Sequence, residues 1–310
     1  MHDKSHAHIA VVSRTFSGTP ELAEELGKHF SNITWNRDRK LSGSELAAFI
    51  GGSEGAIVAL EPVTDDVLAA CPNLTIISKF GVGLDNIDRA ACEKHGVEIG
   101  WTGGINRRSV AEMTLGFMLA LCRNLFMTSY ELKQGTWDKN GGRDLSGRTV
   151  GIVGVGNVGK EVIRLLKPFG CEILVNDIVD QHGYYAEVGV TEVSLEELLN
   201  RANIVTLHVP LTPKTSRMLN AQTLGMMKRG SYLINTARGG IIDYAALKQA
   251  LKDGTLAGAA LDVYDEEPPQ NSDLVALSNV ITTPHIGGNS EEAVRAMGMS
   301  AIEHVVNHFA

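Results

Sequence analysis

Thr149–Asp177 reads TVGIVGVGNVGKEVIRLLKPFGCEILVND, and this stretch decides the fold. An apolar run, Val150–Val153, leads straight into Gly154, Gly156 and Gly159, spaced as G-x-G-x-x-G. A tight turn, close approach of a pyrophosphate and close packing of helix on strand each exclude a β-carbon at one of these positions. The following helix opens with N–H groups that have no intrahelical acceptor and with the positive end of its dipole, so it holds an anion without a cationic side chain. Leu174-Val175-Asn176 forms a second strand ending in Asp177, 18 residues past Gly159, where a carboxylate accepts from both hydroxyls of an adenosine ribose. A 2′-phosphate there meets a like charge, and Ile178-Val179-Asp180 offers no arginine to compensate. Glycine-rich turns also make plain strand-to-helix connections. Here the strand before, the helix after and the acid beyond all favour nucleotide binding, with NAD preferred to NADP.

Outward from this unit the chain alternates between β-type and helical segments, the pattern of parallel sheets covered by helices. Downstream, strands are expected at Ile204–Leu207, Ser231–Asn235, Gly258–Asp262 and Val280–Thr282, with helices near Leu195–Asn200, Ala221–Lys228 and Asp243–Lys252. Counting the two strands of the opening stretch, six strands make a doubly wound nucleotide domain over about 103–285. Upstream, strands at Ile9–Ser13, Ala56–Leu60, Thr75–Lys79 and Val97–Gly100 alternate with helices at Glu21–Phe30, Thr64–Ala70 and Asn86–His95. Trp101-Thr102-Gly103-Gly104 breaks this pattern as a linker. Ser109-Val-Ala-Glu112 is a capping box, and the run Met113–Phe126 behind it is apolar nearly all round, which predicts burial between domains or in a subunit interface. Gly135–Gly147 reads as a loop. Asn289–Phe309 is one amphipathic helix, too little for a domain, and is expected to return to the N-terminal half. The expected fold is therefore α/β with two doubly wound parallel-sheet domains: 1–102, 103–285, and a returning segment 286–310.

Length and composition agree with two soluble globular domains: 310 residues, 44% hydrophobic and 21% charged, with no apolar run of membrane-spanning length. The start, MHDKSHAHIA, lacks the features of a signal peptide, so a cytoplasmic location is expected, with His2, His6 and His8 in a solvated tail. A net charge of −8 and only short basic runs argue against nucleic acid or anionic membrane as partner. Cys71, Cys92, Cys122 and Cys171 are widely spaced in apolar contexts; they read as reduced core residues, and no metal site is expected.

Moving hydride between a nicotinamide and a substrate C–H calls for an acid/base, a cation for an anionic substrate end, and contacts for the carboxamide. Strand ends supply these types. Arg238 lies in Asn235-Thr-Ala-Arg238-Gly-Gly240, where its fork suits a carboxylate; a surface arginine in a turn is the bland alternative. Asp262 ends a small-residue strand and suits the carboxamide. Asp265, Glu266 and Glu267 follow in one acidic loop, and spacing does not say which turns inward. His285, in Thr283-Pro284-His285-Ile286-Gly287-Gly288, titrates near neutrality, although a lone histidine is more often structural. Phe80-Gly81-Val82-Gly83 leaves a strand's carboxyl end and either presents N–H groups to an anion or makes an ordinary turn.

Taken together, KFGVGLDNID (79–88), SVAEMTLGFMLALCRN (109–124), GIVGVGNVG (151–159), Asp177, TLHVPLTPKT (206–215), NTARGGIID (235–243), ALDVYDEEP (260–268) and TPHIGG (283–288) resemble the D-isomer-specific 2-hydroxyacid dehydrogenases, most of all the short phosphoglycerate-dehydrogenase-like members. The resemblance implies that His285 is the acid/base, Glu267 orients it, and Arg238 binds the carboxylate beside the reacting carbon. It implies that Gly81, Val82 and Gly83 hold the same carboxylate. NAD contacts are implied for Gly154, Gly156, Asn157, Val158, Gly159, Asp177, Pro210, Thr236, Ala237, Asp262, His285 and Gly288. Lys79 aligns with a basic position that reads a distal phosphate, a solvated charge being its alternative. A homodimer built on the nucleotide domains is implied, as is a substrate that is a D-2-hydroxy acid, 3-phosphoglycerate among them, or its 2-keto acid. Alternatives are another anion in the same fold (glyoxylate or hydroxypyruvate, phosphite, a phosphonate) and a non-catalytic NAD-sensing protein like the corepressors that resemble this family. Two departures stand out: Trp101-Thr102-Gly103-Gly104 replaces a common Asn-Thr-Pro-Gly, and Met113 replaces a common histidine.

Overall fold

The structure, a computed structural model, describes residues 5–270 and 272–310. The chain forms two compact units: Met1–Asn106 with Glu291–Ala310, and Arg107–Ser290. The sequence reading placed these crossings at 102 and 285.

The first unit is built on five parallel strands, β1 (Ser5–Val11), β2 (Phe30–Trp35), β3 (Gly55–Val58), β4 (Ile76–Lys79) and β5 (Glu98–Gly100), in the order β2-β1-β3-β4-β5. Every residue of β3 and β4 is buried, as expected of strands covered on both faces. One apolar layer gathers Ala10, Ala56, Val58 and Ile77 with the helix Gly43–Ile50. The other gathers Ile9, Val11 and Ile57 with Leu22 and Leu26 of the helix Pro20–His29 and with Met297, Ala301, Ile302 and Val305 of the helix Glu291–His308. The returning helix thus completes the core of this unit. It approaches closely: a β-carbon on Gly298 would lie 2.3 Å from Leu22 Cδ1, and one on Gly100 would lie 2.6 Å from His304 Cβ. Ser78 Oγ donates to Ala301 O at 2.8 Å.

Several expectations are corrected. Phe30 does not end a helix; it begins β2, whose Ser31 and Asn32 are exposed on the sheet edge. The helix Gly43–Ile50 lies in a stretch to which no element was assigned. His6 and His8 belong to β1, where His8 Nε2 sits 2.7 Å from Thr34 Oγ1, so no solvated tail reaches past Ser5; His2 lies outside the described residues.

The second unit holds seven parallel strands: β6 (Thr149–Val153), β7 (Glu172–Asn176), β8 (Thr191–Glu192), β9 (Ile204–Leu207), β10 (Ser231–Asn235), β11 (Leu256–Leu261) and β12 (Val280–Thr282), in the order β12-β11-β10-β9-β6-β7-β8. The seventh, unforeseen strand is β8, two edge residues paired with Leu174 and Val175. Ser109-Val-Ala-Glu112 is not a capping box: the helix already begins at Arg107, Ser109 Oγ donates to Gly287 O at 2.7 Å, and Glu112 pairs with Arg108. The apolar run splits into helices Arg107–Cys122 and Leu125–Lys133, with Asn124 at φ 51° in the left-handed region between them. The first lays Ala111, Phe117, Met118 and Leu121 into the core of this unit beside Val162 and Ile163. The second buries nothing.

Candidate active site

In the second unit the chain runs from β6 to β7 and β8 on one side, then returns to β9 and on to β12 on the other. Ligands of open α/β sheets sit outside the carboxyl ends of strands at such a reversal. The glycine turn after β6 and the segment after β9 meet there: a β-carbon on Gly154 would lie 2.8 Å from both the carbonyl carbon and oxygen of His208. Gly154 also has φ +95°, so the turn excludes a side chain twice over. Gly159 packs against its own turn, its would-be β-carbon 2.2 Å from Gly154 O. Gly156 differs, since a β-carbon there meets nothing within 4 Å. Burial pushes the imidazole of His208 down to about 3, leaving the ring neutral, with Nε2 3.0 Å from Thr206 Oγ1.

That open space lies at the start of the helix Asn157–Leu166, whose N-cap Gly156 supplies no side-chain cap; Asn157 and Val158 form its first turn. Asp177 stands at the end of β7 and organises the turn as well: Oδ2 accepts from Val155 N at 2.6 Å and Oδ1 from Val179 N at 2.9 Å. Each oxygen keeps a lone pair for a further donor. Ile178 beside it is 95% exposed, so an apolar surface borders the acid. These residues fit NAD, with room at the helix terminus for a pyrophosphate and a carboxylate for the ribose. Gly156→Ala is expected to fold normally and weaken NADH binding by about tenfold or more, through steric loss at the phosphates. Gly159→Ala, which drives a methyl into a backbone oxygen, is expected to lower Tm by several degrees. Fluorescence titration and thermal melts on both variants check this, and equal effects on binding and Tm in the two would sink the distinction.

At the end of β10, Asn235 is fully buried and ties two of the next three residues: its Oδ1 accepts from Ala237 N at 3.0 Å and its Nδ2 donates to Arg238 O at 2.9 Å. Thr236 Oγ1 lies 3.1 Å from Thr114 Oγ1. Arg238 Nη1 donates to Ala237 O at 2.7 Å. A β-carbon on Gly239 would sit 2.0 Å from the carbonyl carbon of Tyr264, so the arginine loop lies directly on the backbone of the acidic loop.

His285 follows β12 at φ 53°, held in this left-handed conformation by N–H donation to Asp262 O at 2.8 Å and Thr283 O at 3.1 Å. Asp262 is buried and fastens the turn around it. Its Oδ1 accepts from Thr283 Oγ1 at 2.7 Å and Ile286 N at 2.8 Å, and its Oδ2 from Gly287 N at 2.8 Å. One acceptor position on Oδ2 is left for a carboxamide. The three acids of the loop are now told apart. Glu267 turns to the histidine, with Oε1 and Oε2 at 3.0 and 2.8 Å from His285 Nδ1 and Oε1 accepting from Tyr264 N at 3.2 Å. Burial raises the Asp265 carboxyl above its ordinary value, and it borders another recess with Tyr244 and Glu266. With Nδ1 given to Glu267, Nε2 is the nitrogen left to exchange a proton. Pro210 follows β9, its carbonyl accepting from Thr215 Oγ1 at 2.6 Å, and Gly288 follows the residues held by Asp262.

In the first unit, Phe80-Gly81-Val82-Gly83 leaves β4. Gly81 has φ +145°, and a β-carbon there would lie 3.1 Å from Lys79 Cε. Among the described residues, none of the N–H groups of Gly81, Val82 and Gly83 meets an acceptor; successive unpaired backbone donors of this kind suit an anion. Lys79 is 4% exposed, which rules out the solvated alternative. Its ammonium donates to Ala59 O and, at 2.6 Å, to Asn86 Oδ1, and reaching a distal phosphate would mean leaving both. Lys79→Met is therefore expected to raise KM for plain and phosphorylated 2-keto acids alike and to lower Tm. A rise confined to phosphorylated substrates, in parallel saturation curves, would restore the charge-reading role.

Asn235, His208 and the fastening role of Asp262 were missed by sequence reading. Their signal was present, a polar residue at or just beyond the end of an apolar strand, but which neighbours each would tie was not.

Known proteins were compared with the chain. The family description "D-isomer specific 2-hydroxyacid dehydrogenase, NAD binding domain" matches residues 115–287. The D-3-phosphoglycerate dehydrogenase of Methanocaldococcus jannaschii is 41% identical over 246 residues, 78% of this chain and 47% of that protein. The hydroxypyruvate reductase of Thermotoga maritima is 38% identical over 248 residues, 78% of this chain and 80% of that one. The structure of D-lactate dehydrogenase from Aquifex aeolicus, complexed with NAD and lactic acid, superposes with a TM-score of 0.84 at 28% identity, over 97% of this chain and 94% of that one. The chain spans about half the length of the phosphoglycerate dehydrogenases it matches. With the glycine turn, Asp177 and the His285–Glu267 pair on one sheet end, and with relatives of this kind, the chain belongs to the D-isomer-specific 2-hydroxyacid dehydrogenase family, with NAD as its cofactor.

Proposed function

We propose that this protein interconverts a 2-hydroxy acid of R configuration and its 2-keto acid with NAD. The observation that carries the reading is His285, whose Nδ1 lies 2.8 Å from Glu267 Oε2, so that Nε2 is left for the substrate oxygen. When bound, NAD supplies the acceptor or donor of hydride. His285 Nε2 takes the hydroxyl proton during oxidation and returns it during reduction, and Glu267 keeps the ring oriented. Arg238 binds the carboxylate beside the reacting carbon, and Gly81, Val82 and Gly83 bind it through their N–H groups. Thr236, Ala237, Asp262 and Gly288 contact the nicotinamide half, and Pro210 the adenosine half.

The relatives named above act on 3-phosphoglycerate and hydroxypyruvate, so the test is a panel: glyoxylate, pyruvate, hydroxypyruvate, a branched 2-keto acid and 3-phosphohydroxypyruvate, each with NADH. Turnover on at least one is expected. NADH binding with no turnover on any would favour the non-catalytic NAD-sensing reading.

The proposal includes a homodimer built on the second unit. Leu125, Phe126, Tyr130 and Leu132 of the helix Leu125–Lys133, with Trp137 beyond it, are 50–76% exposed, a concentration of apolar surface that marks association. Four free thiols, three of them buried, support the cytoplasm as compartment. Among the described residues no single helix is long and apolar enough to cross a membrane.

A further inference from the structure

Trp101 is the first residue past β5 and carries the least expected side chain near the Gly81–Gly83 segment. Its backbone is fixed from both sides. Gly100 before it lies so close to the returning helix that no β-carbon fits beside His304. Thr102 after it is held to that helix, its Oγ1 2.9 Å from His304 Nε2 and accepting from Ser300 Oγ at 2.7 Å. From this fixed post the indole Nε1 donates to Val82 O at 2.7 Å. The peptide between Val82 and Gly83 is planar and trans, so its C=O and N–H point in opposite directions. A donor that holds the Val82 carbonyl therefore also sets the direction of the Gly83 N–H, one of the three donors without an acceptor among the described residues.

We propose that Trp101 is a positioning residue for substrate binding: by holding the Val82 carbonyl it aims the Gly83 N–H at the substrate carboxylate. The proposal rests on the reading of Gly81–Gly83 as the carboxylate-binding segment. It also accounts for both residues by which Trp101-Thr102-Gly103-Gly104 departs from Asn-Thr-Pro-Gly. A β-carbon on Gly103 would lie 2.9 Å from Trp101 Cη2 and 3.2 Å from Cζ2, so the indole reaches Val82 only because residue 103 has no side chain. Tryptophan at 101 and glycine at 103 act as one device. Because a carboxylate is present in hydroxy acid, keto acid and transition state alike, its loss falls on binding and leaves the chemical step alone.

The experiment uses the full chain with NADH and two readouts, the dissociation constant of oxamate and the KM and kcat for the best 2-keto acid. Trp101→Phe keeps an aromatic ring and removes the donor. It is expected to raise the oxamate dissociation constant and KM by about five- to tenfold, the loss of one hydrogen bond, with kcat and NADH affinity within about twofold of wild type. Incorporation of 3-benzothienylalanine at 101, which has the indole shape with sulfur in place of N–H, is expected to reproduce this loss, and 5-fluorotryptophan at 101 is expected to retain wild-type values. Gly103→Ala is expected to show the same rise in KM, because the indole must swing off Val82. Wild-type KM and oxamate binding in the benzothienyl protein would overturn the proposal, leaving the ring as packing only. If the wild-type protein neither binds oxamate nor reduces any 2-keto acid, the functional reading fails first and the proposal falls with it, a result visible before any variant is made.

Discussion

With glutamine in place of Glu267, kcat/KM is expected to fall by about 10²- to 10⁴-fold in both directions, the range for loss of a positioned acid–base group. Glu267 offers His285 Nδ1 two oxygens, at 3.0 and 2.8 Å, and one of these also accepts from Tyr264 N. A carboxylate is acceptor-only, so it admits only the ring form with hydrogen on Nδ1. Glutamine presents an amide, and whenever its NH₂ faces the ring, Nδ1 becomes the acceptor and hydrogen moves to Nε2. That is the wrong tautomer for taking a proton from the hydroxyl. Asp265→Asn and Glu266→Gln are the controls, because neither carboxyl reaches the imidazole; both should stay within about threefold of wild type. Steady-state kinetics in both directions, with NADH affinity measured alongside, decide the matter. Loss in a control variant with Glu267→Gln unaffected would assign the role to a different acid.

The second large effect concerns the cofactor. NAD should be preferred to NADP by at least about 10²-fold in kcat/KM, since a 2′-phosphate removes hydrogen bonds to a charged acceptor and adds repulsion. The structure sharpens what a mutation at Asp177 does. Its two oxygens hold Val155 N in the glycine turn and Val179 N just beyond the acid, so Asp177→Ala removes the discrimination and also unties the turn. The variant is expected to lose affinity for NAD by about tenfold or more and to bring the two cofactors within about tenfold of each other. Comparable kcat/KM for NAD and NADP in the wild type would reject the assignment of the acid.

Much of the fold was legible because its signals are local. The strand, glycine turn, helix and acid of Thr149–Asp177 lie within one short stretch, and a β-carbon at each of the three glycines meets the fate the pattern implies: a collision in the turn, open space, and a collision with the turn's own oxygen. What escaped depends on partners distant in sequence. β2 is an edge strand with exposed Ser31 and Asn32, so it lacks the apolar residues that run through β3 and open β4 at Ile76 and Ile77. β8 exists only as two residues against β7. Met113–Phe126 read as a single helix, although Arg123-Asn124 interrupts the apolar run and asparagine readily takes the left-handed conformation that Asn124 adopts. The same holds for the site. His285 and Arg238 were recognisable by type and position, whereas the choice among Asp265, Glu266 and Glu267 turned on which carboxylate reaches Nδ1. Lys79 was read from its place beside a glycine pair, and only its contacts with Ala59 and Asn86 show that its charge is turned inward.

The helix Glu291–His308 supplies Met297, Ala301, Ile302 and Val305 to a core whose other members precede residue 107. On the ribosome these two parts emerge far apart in time, because all of Arg107–Ser290 is made between them. At about 5–20 residues per second, the first sheet waits roughly 10–40 s with one face covered only in part, by Phe16 and by Leu22 and Leu26 of the helix Pro20–His29. The nucleotide unit suffers no such delay, being one continuous segment. The later-made half of this protein therefore completes its core first, and the earlier-made half keeps an unfinished apolar face until the returning helix is made.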